Sequence, residues 1–249
     1  IGTVFFLVYR LHMITLRKPR RDELTRSWLD ILHVGLPAAG TNAIIPVVVT
    51  VVTAMIARYG PDAVAGFGVA ARIESMVLVI YYALSSVIGP FVGQNLSAGH
   101  HDRIKLSLRQ CAVFCLGSGL VIAIVLALLA GVLPGLFSEN PDVMRVTRLF
   151  LWIAPISYGA YGIVMVVNAA FNGLGKPMPA VYISVARMIV LYLPLAFIAQ
   201  YFLGVTGIFA AYVAANLLTG LLGYIWAQRT ADNLFTVSDV HADAATAHE

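Results

Sequence analysis

Cys111-Ala-Val-Phe-Cys-Leu-Gly-Ser-Gly-Leu-Val-Ile-Ala-Ile-Val-Leu-Ala-Leu-Leu-Ala-Gly-Val-Leu133 runs for 23 residues without an Asp, Glu, Lys, Arg or His. At ~1.5 Å per helical residue, a stretch of this length crosses the ~30 Å of hydrocarbon in a bilayer. It shows no alternation of polar and apolar side chains, which excludes the strands of a transmembrane barrel. Working outward, the same pattern recurs on both sides. The sequence predicts six spans at about 29–58, 63–97, 104–133, 142–174, 179–203 and 205–229, preceded by an apolar stretch over 1–16. The fold class is all-α: a polytopic membrane protein with a six-helix lobe.

The breaks between spans carry helix-ending chemistry. They read Tyr59-Gly60-Pro61-Asp62, Ser97-Ala98-Gly99, Asn140-Pro141-Asp142 and Gly175-Lys176-Pro177, with a weaker break at Gly204. Basic residues sort with these breaks. One set of segments holds Arg17, Lys18, Arg20, Arg21, Arg26, Arg103, Lys105, Arg109, Lys176 and Arg229, whereas the alternate breaks hold Arg58, Arg145 and Arg148. Cytoplasmic loops retain positive charge, so the first set is placed in the cytoplasm, and the assignment alternates across all six spans. Residues 17–28 then form a cytoplasmic linker, 29–229 the membrane lobe and 230–249 a cytoplasmic tail without periodicity, expected to be disordered. Residues 1–16 read as the end of a truncated transmembrane helix.

Composition excludes other classes. Hydrophobic residues make up 60% of the chain and charged residues 11%, where a soluble domain carries about 25% charge. The net charge of +4 is consumed by topology, and no basic stripe with interleaved aromatics points to nucleic acid. Cys111 and Cys115 lie one turn apart in an apolar helix and are too few for a zinc site. No HExxH, nucleophile elbow, Gly-rich phosphate loop or metal-spaced His cluster occurs, so neither an enzyme nor a bound metal is expected.

Ionisable side chains inside the spans are costly, about 2.5–3.5 kcal/mol each at the bilayer centre, so each asks for an explanation. Arg72 and Arg187 have stems long enough to reach a membrane surface. Glu74 does not: about eleven residues into its span, it lies ~17 Å deep. Either it exchanges a proton or binds a cation, as a coupled transporter requires, or it is a hydrogen-bonded structural acid. Polar side chains also share helical faces. Tyr158, Tyr161, Met165, Asn168 and Asn172 are spaced three or four apart, as are Glu74, Leu78, Tyr81 and Ser85, and Asn42, Pro46, Val49 and Thr53. Such faces either line a wet cavity for small amphipathic substrates or hydrogen-bond to neighbouring helices. Prolines at 37, 46, 90, 155 and 194 predict kinks within the spans.

Several of these segments resemble a known family. Ala65-Gly66-Phe67-Gly68-Val69-Ala70-Ala71-Arg72-Ile73-Glu74, then Val92-Gly93-Gln94-Asn95-Leu96-Ser97-Ala98-Gly99 and Arg103, are similar to the eighth span and following loop of the multidrug and toxic compound extrusion family. Ile31-Leu32-His33-Val34-Gly35-Leu36-Pro37 resembles the start of its seventh span, and Asn168-Ala169-Ala170-Phe171-Asn172-Gly173-Leu174-Gly175-Lys176-Pro177 its tenth. The resemblance covers about 29 to 229. It implies a twelve-helix antiporter of two lobes, of which this chain is the carboxy-terminal one, the amino-terminal lobe being its missing partner. Entry of H+ or Na+ would drive export of cationic, amphipathic compounds across the inner membrane, with no other cofactor. Arg72, Glu74, Gln94 and Asn95 match motif positions. One branch of the family has a Glu midway in the seventh span and an Asp midway in the tenth; here Ile45 or Pro46, and Tyr161, stand there. Within the same superfamily, a flippase for lipid-linked saccharides is the alternative, but it calls for several cavity arginines.

Overall fold

The computed structural model describes the backbone of residues 20–246, with side chains at 20, 22–29, 32 and 44–232. All regular elements among them are helical. The first helix, α1, spans Arg21–Ala57. It divides between two compact units, residues 1–43 and 44–249. Within the first unit the helix starts at Arg21, inside the segment read as a linker. Everything below concerns the second.

There, α2 (Pro61–Ser97) and α3 (His101–Leu129) are single long helices. The fourth span is broken: α4 (Pro141–Ile153) passes through a 3-10 turn at Ala154–Ser157, which contains Pro155, into α5 (Tyr158–Gly173). The fifth span comprises α6 (Pro177–Val185), a π-helical segment at Ala186–Tyr192 and α7 (Leu193–Leu203). The last helix, α8, runs Val205–Thr246 and so continues into the segment expected to be a tail. Among the described residues, five helices are long and apolar enough to cross a membrane: Pro61–Ser97, His101–Leu129, Pro141–Gly173, Pro177–Leu203 and Val205–Asp232. Ile44–Ala57 adds a shorter apolar helix. This is a multi-pass membrane protein.

Local chemistry explains where the helices stop. After α2, the His100 amide donates to the Asn95 carbonyl and the Gly99 amide to Leu96. After α5, Lys176 and Gly175 repeat the pattern with Phe171 and Asn172. Both are Schellman closures, which need a left-handed residue just past the helix; Gly99 has φ 71° and Gly175 φ 69°. Before α4, the Asn140 side chain accepts from the Asp142 amide at 2.9 Å and donates to Asp62 Oδ1 at 2.9 Å. It thus caps one helix and ties it to the start of another. Asn140→Ala is expected to cost about 1 kcal/mol, read as a lowered thermal unfolding midpoint in detergent.

Contacts also tie helix ends to one another. Asp62–Asn140 joins the first and third breaks. Tyr59 Oη, 3.3 Å from the Gln200 carbonyl, joins the first break to the end of α7. Lys105 and Asp232, 2.5 Å apart, join the opposite ends of α3 and α8.

At the centre stands α5, with α2, α3 and α8 packed around it. Small residues allow the close approach. A Cβ added at Gly159 would lie 2.8 Å from the Cys115 carbonyl oxygen, and one at Gly220 2.9 Å from the Ala160 carbonyl. With lipid on the outside, tight packing of this kind is what holds membrane helices together.

Candidate functional site

Glu74 shares one face of α2 with Phe67, Ala71, Ser75, Leu78 and Tyr82, at the three- and four-residue spacing of a helix. That face lines a cavity of about 180 Å³, closed further by Ile45, Val48, Val49 and Val52 of α1, Phe150 of α4, Tyr161 of α5, Tyr212 of α8, and Arg187, Met188 and Tyr192 of the π segment. Aromatic rings touch one another along the wall. Phe150 stacks on Tyr212 at 6.5 Å and Tyr192 meets Tyr212 edge-on at 5.5 Å.

Two polar centres face this space. The Tyr212 hydroxyl donates to Glu74 Oε1 at 2.9 Å. The fully buried Tyr158 hydroxyl faces the same carboxyl. The second centre is Arg187, only 4% exposed. Its Nη1 donates to Asn216 Oδ1 at 3.1 Å, and its guanidinium lies 4.6 Å from the centroid of the Tyr161 ring. Asn216 Nδ2 in turn donates to Ser157 Oγ at 3.1 Å, in the 3-10 turn between α4 and α5. A chain of neutral partners therefore holds the cation from α8 to the broken fourth span. Glu74 and Arg187, both among the described residues, form no ion pair with each other within 4.0 Å.

Of the predicted cavity residues, Glu74 and Tyr161 line the space, and Tyr158 sits behind Glu74. Four others lie elsewhere. Tyr81 is buried between α3 and α5, its hydroxyl 3.4 Å from the Cys115 carbonyl and 3.3 Å from Ser118 Oγ. Met165 packs against the apolar core. Asn168 Nδ2 donates to Ser184 Oγ of α6 at 3.1 Å, the interhelical alternative weighed for such residues. Asn172 is exposed at the end of α5. Helical drift accounts for these departures: a face followed over fourteen residues turns away from any one cavity. The Asn42 side chain lies outside the described residues.

Sequence and fold now meet in the comparisons with known proteins. The MatE family model matches residues 37–198. The chain belongs to the MatE family. MATE proteins are membrane transporters, not enzymes. A protein named FAD transporter from Shewanella oneidensis is 38% identical over 208 residues, covering 84% of this chain and 46% of that one. A probable multidrug resistance protein from Thermotoga maritima is 24% identical, covering 86% of this chain and 46% of its own length. The crystal structure of the Vibrio cholerae MATE transporter VcmN in its bent form superposes with a TM-score of 0.78 at 29% identity, over 91% of this chain and 50% of that one. The MatE chain thus spans about half the length of the curated relatives it matches.

The remaining MatE motif residues lie away from the cavity. Arg72 is exposed and does not line it. Gln94 is exposed near the end of α2, and buried Asn95 donates from Nδ2 to the Phe91 carbonyl at 2.8 Å, one turn back in its own helix. In this MatE chain the Gln94–Gly99 segment is helix-closing machinery. Sequence reasoning missed Tyr82, Tyr192, Tyr212 and Asn216, and left Arg187 free to snorkel to the surface. Tyr212 and Asn216, four apart in an otherwise apolar span, were the available signal.

Proposed function

We propose that the whole protein is a cation-coupled antiporter exporting small amphipathic or cationic compounds, with this chain as its carboxy-terminal half. The observation that carries the reading is Glu74: a carboxyl in a membrane-crossing helix, bound to one hydroxyl and facing an aromatic cavity. A proton or a sodium ion is the coupling ion, and loading Glu74 with it alters what the cavity holds. An amino-terminal lobe of the same protein completes the cavity. The protein resides in the bacterial inner membrane with its carboxy terminus in the cytoplasm, in keeping with the retained basic residues. The flippase reading draws less support, since a diphosphate needs several arginines and Arg187 is the arginine that lines this cavity. The Shewanella relative makes FAD a compound to test beside a cationic dye. The experiment uses the full-length protein in proteoliposomes loaded with ethidium or FAD. An imposed proton or sodium gradient is expected to drive the efflux of at least one of them. Equal efflux with and without either gradient overturns the coupling, and no efflux of either compound overturns the export reading.

A further inference from the structure

The cavity holds an acid and a base that do not meet. Glu74 and Arg187 both line it, yet no ion pair within 4.0 Å joins them. Opposite charges attract far more strongly in a nonpolar surround than in water, and the arginine stem is long and rotatable. A restraint has to keep them apart. The groups facing the Glu74 carboxyl are the Tyr212 and Tyr158 hydroxyls, the Arg187 guanidinium, and the Tyr161 and Tyr192 side chains. Four of these are phenols, so among the described residues Arg187 is the cation placed to compete for the carboxyl. Arg72, two residues along the same helix, is exposed and does not line the cavity.

The restraint comes from Asn216, itself fully buried on α8. A guanidinium only donates, so the amide atom that faces it at 3.1 Å is the carbonyl Oδ1. The other end of the amide is committed as well. Its Nδ2 donates to Ser157 Oγ at 3.1 Å, and that hydroxyl donates to the Ala154 carbonyl at 3.0 Å. With both ends engaged, the amide is held with its acceptor toward Arg187. The Tyr161 ring, 4.6 Å from the guanidinium, adds a second hold on it. Tyr212, one turn before Asn216, binds Glu74 at 2.9 Å. One helix thus keeps acid and base on separate neutral partners.

We propose that Asn216 is a positioning residue of the transport cycle: by holding the Arg187 guanidinium away from Glu74, it leaves the carboxyl free for the coupling ion. This deepens the coupling reading given above and rests on it. Without the Oδ1 acceptor, the guanidinium turns to Glu74 and occupies the place that a proton or sodium ion has to take. More of that ion is then needed to drive a cycle. A purely structural amide, bridging α8 to the fourth span, affects stability without altering the demand for the ion.

The test uses the full-length protein in proteoliposomes. The rate of ethidium or FAD efflux is followed against the imposed concentration of whichever ion, proton or sodium, drives the wild type. Asn216→Leu, of similar size but without an acceptor, is expected to raise the half-saturating ion concentration at least about tenfold, the scale of a close charge pair shielded from water. Asn216→Asp returns an acceptor to Arg187, and the Ser157 hydroxyl can turn to donate to it, so its value should lie within about threefold of the wild type. Ser157→Ala frees the amide to turn and should raise the value by about threefold or more. An unchanged half-saturating concentration in Asn216→Leu and Ser157→Ala overturns the inference, whatever happens to their maximal rates and thermal midpoints. Should Asn216→Leu fail to fold, Ser157→Ala decides by itself. A value for Asn216→Asp as high as that for Asn216→Leu also overturns it. The coupling reading fails on a different result, wild-type efflux that is indifferent to both gradients.

Discussion

Replacing Glu74 by Gln in the full-length protein is expected to cut gradient-driven export at least about tenfold while leaving the fold intact. The two side chains have nearly the same shape, and the Gln carbonyl oxygen can still accept from the Tyr212 hydroxyl, which lies 2.9 Å from the carboxyl. Only the capacity to gain and lose a proton, or to hold a cation, is removed. The cost of placing an acid in this helix, about 3 kcal/mol on insertion scales, is then lifted, so Glu74→Gln should be at least as stable as the wild type. Loss of transport together with unchanged or higher thermal stability is the signature of a coupling residue. A merely structural carboxyl predicts the opposite pattern, with transport kept and stability shifted. Glu74→Asp adds a useful contrast: it can still ionise, but its shorter stem withdraws the carboxyl from Tyr212. Partial export is expected from it. Full export from Glu74→Gln would move the coupling group out of this lobe.

The second large effect concerns Gly159 in the central packing, with Gly117 outside it as the control. At Gly159, even the methyl group of Ala would meet the Cys115 carbonyl oxygen at 2.8 Å and the Leu116 Cα at 3.1 Å. Both are backbone atoms of α3, so neither can turn aside as a side chain would. Gly159→Ala should therefore destabilise by about 2 kcal/mol, and Gly159→Leu should leave little monodisperse protein after size-exclusion chromatography. Gly117, on the same α3 helix, has nothing within 4 Å of an added Cβ. There Ala brings its better helix propensity without a clash, and Gly117→Ala is expected to be neutral or stabilising by up to about 1 kcal/mol. Opposite signs for one substitution at two neighbouring positions would locate the tight crossing. Equal thermal midpoints for both variants would show that the helices do not approach this closely.

The sequence disclosed most about features whose cause is local. Gly99, Gly175 and Asn140 announce helix ends because the closing hydrogen bonds involve residues within one turn, and the structure puts the ends there. Glu74 stood out because hydrocarbon makes an acid conspicuous whatever its neighbours are. The rest depends on how helices rotate against one another. Tyr81 and Tyr82 are adjacent in sequence, yet the first packs on α3 and the second lines the cavity. A periodicity of three or four cannot choose between them until the crossing of α2 with α5 is known. Arg187 was legible as an anomaly but not as a cavity residue. Its placement follows from the π segment at Ala186–Tyr192, which leaves no mark in hydropathy, and from Asn216 on the next helix, a visible polar residue whose partner the sequence does not name.

The spans are buried to very different degrees: 78% of the apolar window in Pro141–Gly173 is enclosed, against 22% in Pro61–Ser97 and in His101–Leu129. A ribosome delivers the chain from its amino terminus, so this innermost helix leaves the insertion machinery before α6, π segment and α8 have been made. Until they arrive, Tyr158, Ser157 and Tyr161 meet acyl chains instead of Asn216 and Arg187. Folding of the lobe is consequently a wrapping step, in which the two hydrophobic segments that follow this hub in the chain displace lipid from it.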